Sequence, residues 1–191
     1  METLGKLFGS EEKVKIMKLF LFNPDSSFSL SQIKDRIKTE SKKVRRELGA
    51  IEKMSLIKKR MQKGKGYRYF LNKEYVHYSS LQKFFLDIEP LQPKEIIHKI
   101  SKLGSIKLIL VAGLFIQNEE SRVDMLIVGD GIKKTNLEKT IKMLESEVGK
   151  ELKYAYFSTE EFKYRLSMFD KLTRDILDYP HRRVLDKLGI V

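Results

Sequence analysis

Two β-prone runs, Leu56 to Met61 and Tyr67 to Leu71, lie either side of Gly64-Lys65-Gly66. Glycines between such runs supply the left-handed dihedrals of a tight turn, so the stretch LIKKRMQKGKGYRYFLN predicts a β-hairpin. The hairpin carries Lys58, Lys59, Arg60, Lys63, Lys65 and Arg68. Gly64 and Gly66 allow it a tight, close-approaching tip.

Upstream of it the apolar spacing is helical. Ser10 is a natural N-cap, and Val14, Ile16, Met17, Leu19, Phe20 and Leu21 give the first helix a broad buried face, ended by Asn23-Pro24. Ser29-Leu-Ser-Gln32 matches a capping box and opens a short helix with Leu30, Ile33 and Ile37 on one side. After a break at Lys38-Thr39-Glu40, a third helix runs from Ser41 to about Met54 on a stripe of Val44, Leu48 and Ile51. Three helices followed by a basic hairpin is the order of a winged helix.

Charge agrees with that order. The net charge of +12 favours a polyanionic partner. Residues 1–92 hold 20 Lys/Arg against 11 Asp/Glu, a balance of +9, whereas residues 93–191 hold 18 against 15, a balance of +3. With Val44, Leu48 and Ile51 turned inward, Lys42 and Arg46 point away from the core, and Lys43 and Arg45 lie on the flanks. An arginine can read guanine bidentately or clamp a phosphate, and a lysine neutralises phosphate. A hairpin tip bearing Lys63 and Lys65 can follow the backbone or enter the minor groove. The expected DNA contacts are therefore Ser41, Lys42, Lys43, Arg45, Arg46, Lys63, Lys65 and Arg68. A solvated basic face is the plainer reading of any single one of these lysines.

Beyond the hairpin, helices are expected at Ser79–Asp87 and Pro93–Leu103, with a boundary at the Pro90–Pro93 break. Then the pattern alternates: strands Ile106–Ala112 and Val123–Val128, helix Asn136–Gly149, strand Leu152–Phe157 and helix Thr159–Phe169. That is a small mixed α/β layer. The expected organisation is α+β, with a winged helix over 1–77, a helical linker over 78–104 and an α/β domain over 105–191. Gly129-Asp-Gly131 reads as a turn after a strand, Tyr154 and Tyr156 as packing residues, and His181-Arg182-Arg183 as an exposed basic segment.

Several chemistries are excluded or disfavoured. The chain has no cysteine, so disulfides, thiolate metal sites and cysteine nucleophiles are absent. His77, His98 and His181 lie far apart and form no ligand-spaced pair. The first residues lack the apolar core and cleavage site of a signal peptide, and the apolar run Leu108–Ile116 is too short to span a bilayer. The expectation is a cytoplasmic protein with no cofactor and no membrane association.

Residues 10–75 resemble prokaryotic winged-helix transcriptional regulators, through the recognition-helix stretch Ser41-Lys-Lys-Val-Arg-Arg-Glu-Leu48. Roughly Ser105 to Ser158 resembles the minimal nucleotidyltransferase domain that follows such a winged helix in some regulators. The resemblance implies a strand ending in Gly-Ser, then Asp-x-Asp, holding nucleotide phosphates and magnesium. In LILVAGLFIQNEESRVDMLIVG, Gly113 matches the glycine and Asp124 the second carboxylate, while Leu114 replaces the serine and Arg122 the first carboxylate. Glu119 and Glu120 are near in sequence but belong to the intervening loop, and the later strand LKYAYF offers no third carboxylate. The resemblance thus implies a vestigial nucleotide site at Gly113 and Asp124 within a degenerate domain.

The function expected is transcription regulation by a homodimer that binds double-stranded DNA. Two alternatives are a nucleotidyltransferase enzyme and an antitoxin-like module whose second domain holds a protein partner.

Overall fold

The computed structural model describes residues 2–88, 91–118 and 120–190. Glu119 and the Glu89-Pro90 part of the expected break lie outside the described residues. The chain adopts a mixed α/β, overall α+β, architecture with two small β-sheets. It divides into two compact units, Met1–Pro90 with Lys142–Glu151, and Leu91–Ile141 with Leu152–Val191.

In the first unit the order is α1 (Glu2–Phe8), α2 (Glu11–Leu21), β1 (Ser27–Phe28), α3 (Leu30–Ile37), α4 (Ser41–Lys53), β2 (Ile57–Gln62), β3 (Gly66–Leu71) and α5 (Tyr78–Asp87). Ser10 caps α2, its hydroxyl accepting from the Lys13 amide at 3.1 Å. The capping box at α3 forms as its spacing predicts: the Gln32 amide donates to Ser29 Oγ and the Ser29 amide to Gln32 Oε1. Lys38 then takes a left-handed conformation (φ 54°) that ends α3 and turns the chain into α4 within three residues. Val14, Phe20, Ile33, Ile37, Val44, Leu48 and Ile51 fill the core between these helices. Full burial of one such side chain contributes about 1.5–3 kcal/mol, so the apolar stripe, and not helix propensity, fixes the orientation of α4.

The sheet order is β1-β3-β2, all antiparallel, with Ser27 opposite Phe70 and Met61 opposite Tyr67. The base of the hairpin is pinned by Asn72. Its amide donates to Leu56 O and its side-chain nitrogen to Ser55 O, both at 2.8 Å, across the left-handed turn at Ser55 (φ 61°). Residues 142–151 complete this unit. The buried Lys18 donates its ammonium to the Glu147 carbonyl at 3.2 Å. At Gly149 (φ 87°) a Cβ would come within 2.7 Å of the Lys18 backbone, so no side chain fits there.

The second unit follows as α6 (Pro93–Ile100), β4 (Ser105–Val111), β5 (Met125–Asp130), α7 (Lys134–Val148), β6 (Tyr154–Phe157), α8 (Thr159–Ser167), α9 (Lys171–Asp178) and β7 (Arg182–Asp186). The sheet order is β6-β5-β4-β7, with β5 and β6 parallel and the other pairs antiparallel. From Leu108 to Val111 and from Met125 to Val128 every residue is buried, the continuous apolar run of strands covered on both faces.

Two elements of the first unit were not expected, and two expectations change. A helix, α1, precedes Ser10, and β1 is a strand too short to carry a periodicity. His181-Arg182-Arg183, expected as an exposed basic segment, leads into a strand: Arg182 and Arg183 open β7 opposite Val111 and Leu110, with Arg183 exposed and His181 and Arg182 half-buried. Charged side chains suit that position, because β7 is a sheet edge. Finally, β5 begins at Met125, so Arg122 and Asp124 precede the strand and do not share one of its faces. Among the described residues no helix is long and apolar enough to cross a membrane.

Candidate nucleic-acid interface

On α4 the inward positions Val44, Leu48 and Ile51 leave Lys42, Lys43, Arg45 and Arg46 exposed, while Ser41 is half-buried at the first turn. The four cations divide by partner. Lys43 Nζ lies 3.2 Å from Glu12 Oε1 on α2. Glu12's own backbone amide, followed by Lys43 and Ser10, holds its carboxyl below the usual range against the opposing effect of partial burial. Arg46 donates Nε and Nη2 to Glu47 Oε1 at 2.9 and 2.7 Å. Glu47 is buried, and its second oxygen lies 3.7 Å from Lys13 Nζ. The Arg46 side chain stays 69% exposed while so paired, so part of its guanidinium is open to solvent. Lys42 and Arg45 form no ion pair among the described residues.

The hairpin repeats that division. Lys63 and Lys65 stand exposed at the turn and form no ion pair among the described residues. Gly64 and Gly66 take φ of 75° and 71°, which side-chain-bearing residues disfavour. Lys59 Nζ sits 4.4 Å from the centre of the Tyr67 ring, a cation–π contact that stiffens the ribbon. Lys58 pairs with Glu74 at 2.7 Å, and that ammonium pulls the carboxyl of Glu74 down. Arg68 is placed differently from the other expected contacts. Its Nε donates to Ser27 Oγ at 2.8 Å and its Nη2 to the Ser27 carbonyl. It ties β3 to β1, a role invisible in the sequence because β1 itself is.

The corner around Gly113 in the second unit contrasts with this face. Gly113 has φ 50°, and a Cβ on it would stand 2.2 Å from Asp124 Oδ1. The carboxylate fills that space and is used on both sides: Oδ1 accepts the Leu114 amide and Oδ2 the Lys153 amide, each at 2.8 Å. Asp124 is therefore a clasp between the turn after β4 and the entry to β6. Arg122 turns away to Asp175 on α9, with Nε 2.6 Å from Oδ2. The space beside them, lined by Ser121, Arg122 and Asp175, is only about 10 Å³. Among the described residues no group of three His, Asp or Glu side chains could hold a metal ion.

No family model, curated protein or solved structure matches the chain. Residues with a share in this geometry that the sequence did not mark are Glu12, Glu47 and Ser27, whose signal lies in pairing across elements and not in any local motif.

Proposed function

We propose that the first unit is a winged helix-turn-helix that binds duplex DNA, with α4 as the recognition helix and the β2–β3 hairpin as the wing. The observation that carries this reading is the set of exposed cations that form no ion pair among the described residues, Lys42 and Arg45 on α4 and Lys63 and Lys65 on the hairpin. Surface cations that serve only solubility are commonly interspersed with acids. From residue 57 to residue 71 there are six Lys/Arg and no Asp/Glu. Lys42 and Lys43 with the hairpin lysines neutralise phosphates, and Arg46, held by Glu47, presents its outer N–H groups to a base edge.

The second unit, in this reading, is a nucleotidyltransferase-like scaffold for assembly or partner binding. Support comes from Asp124, whose two oxygens serve backbone amides, and from Arg122, which replaces the first metal carboxylate in sequence and pairs with Asp175. The whole acts as a transcription regulator, and a symmetric dimer would match paired half-sites.

The test is fluorescence anisotropy of the full chain with a labelled duplex across a salt series. Phosphate contacts release counterions, so affinity should fall steeply and linearly on a log–log plot. A flat dependence, or no binding at low salt, overturns the reading.

A further inference from the structure

The outward face of α4 runs through Lys42, Arg46, Gly49 and Lys53, at spacings of four, three and four residues. A glycine in the middle of a 13-residue helix calls for a reason. It disfavours the helix relative to alanine by roughly fivefold in the equilibrium. Gly49 has ordinary helical dihedrals, unlike the glycines with positive φ. Nor does it make room for a neighbour: a Cβ placed on it meets nothing within 4 Å beyond its own helix. Among the described residues no contact requires a glycine there.

What Gly49 does provide is a thin point in the helix, flanked by three exposed cations. An α-helix with its side chains is about 10–12 Å across, and the major groove of B-DNA is about 12 Å wide. A helix that size fills the groove, and its depth is set by the side chain at the centre of the inserted face. We propose that Gly49 is the point of closest approach between α4 and the floor of the major groove. Its missing side chain lets the flanking Arg46 reach base edges as well as phosphates. This inference rests on the DNA-binding reading above and adds to it the residue that sets insertion depth.

The experiment compares the full chain with Gly49→Ala and Gly49→Leu. The probes are a duplex selected by the wild-type protein from a random-sequence pool and an unselected duplex of equal length. Gly49→Ala should raise Tm by about 2–4 °C while weakening the selected duplex by about tenfold. Gly49→Leu should weaken it further, by about a hundredfold. Binding to the unselected duplex, held through phosphates, should change little, so the loss appears as a loss of discrimination. Stability and specific binding thus move in opposite directions, which a purely structural glycine would not produce. Equal discrimination by all three proteins overturns the insertion role and leaves DNA binding standing. A fall in Tm for Gly49→Ala overturns it too, by revealing an internal need for the glycine. Failure of the wild-type chain to bind any duplex removes the DNA reading and this inference together.

Discussion

The exposed face of α4 and the corner at Gly113 both gather charged side chains beside a turn, yet they use charge in opposite ways. At the corner, Asp124 gives both oxygens to backbone amides and Arg122 gives its guanidinium to Asp175. On α4 and the hairpin, Lys42, Arg45, Lys63 and Lys65 meet no carboxylate among the described residues. A charge whose hydrogen-bonding atoms are all taken up inside the fold, as in Asp124, is a structural part. A charge left over in a basic field is available to a ligand. The distinction lies in the partner, so it is a property of the tertiary structure and not of the residue type.

The largest expected effect comes from breaking the consumed charge. Asp124→Ala leaves the Leu114 and Lys153 amides without their acceptor, and hydrogen bonds to a charged group contribute about 1.5–3 kcal/mol each. Because the site is half-buried and water can replace part of this, the expected loss is about 2–4 kcal/mol, read from urea unfolding. Lys42→Ala with Arg45→Ala should shift the same midpoint by no more than about 0.5 kcal/mol per site. If Asp124→Ala proves neutral, the carboxylate is not a clasp, and the contrast between the two regions collapses.

Next in size is the effect of Arg46 on binding. Arg46→Ala should cost about 1–3 kcal/mol in duplex affinity and relax preference at one base position. Arg68→Ala sharpens the comparison, because Arg68 is tied to Ser27. It should lower stability by about 1–2 kcal/mol and leave the salt slope of binding as in the wild type. A change of slope for Arg68→Ala would move that residue into the ligand-facing class.

The wing should give a smaller, sequence-independent effect. Lys63→Ala with Lys65→Ala is expected to weaken all duplexes alike and to reduce the slope of log affinity against log salt by about one unit per lost phosphate contact. An unchanged slope means that the tip stays clear of the backbone.

How far the sequence could be read follows from the range of each signal. The helices α2, α3 and α4 and the β2–β3 hairpin were legible because caps, apolar spacing and glycine turns act within a few residues. The two-residue β1, the edge strand β7 and the helix α9 were not, since their existence depends on partners far away in the chain. The same rule governs the site. Lys42 and Arg46 could be assigned to an outward face from Val44, Leu48 and Ile51 alone. That Arg46 is held by a buried Glu47, or that Arg68 braces β1, depends on which elements meet. Asp124 could be aligned with a metal ligand, but its hydrogen bonds to Leu114 and Lys153 join segments 10 and 29 residues away.

The smallest expected effect is a pH dependence, and it tests whether consumed carboxylates in the second unit behave alike. Asp130 accepts the Thr159 hydroxyl at 2.6 Å and the Thr159 amide at 2.9 Å. The hydroxyl first and the amide second hold its carboxyl below the ordinary aspartate value of 3.8, against a small opposing effect of burial. A carboxyl depressed in the folded state favours folding above its unfolded pKa, and that contribution is lost as pH falls through the folded value. The loss therefore falls below about pH 3.8 and not near neutrality. Asp170 should add to it in the same direction, because the Thr173 amide depresses its carboxyl as well. Asp130→Asn keeps an oxygen for the Thr159 amide but removes the titration. Its urea midpoint should consequently lie below that of the wild type at neutral pH and fall less toward strongly acidic pH, so that the two curves converge on the acidic side. Parallel curves across the whole range would mean that Asp130 titrates alike in the folded and unfolded chain, and that its bonds to Thr159 do not favour the ionised form.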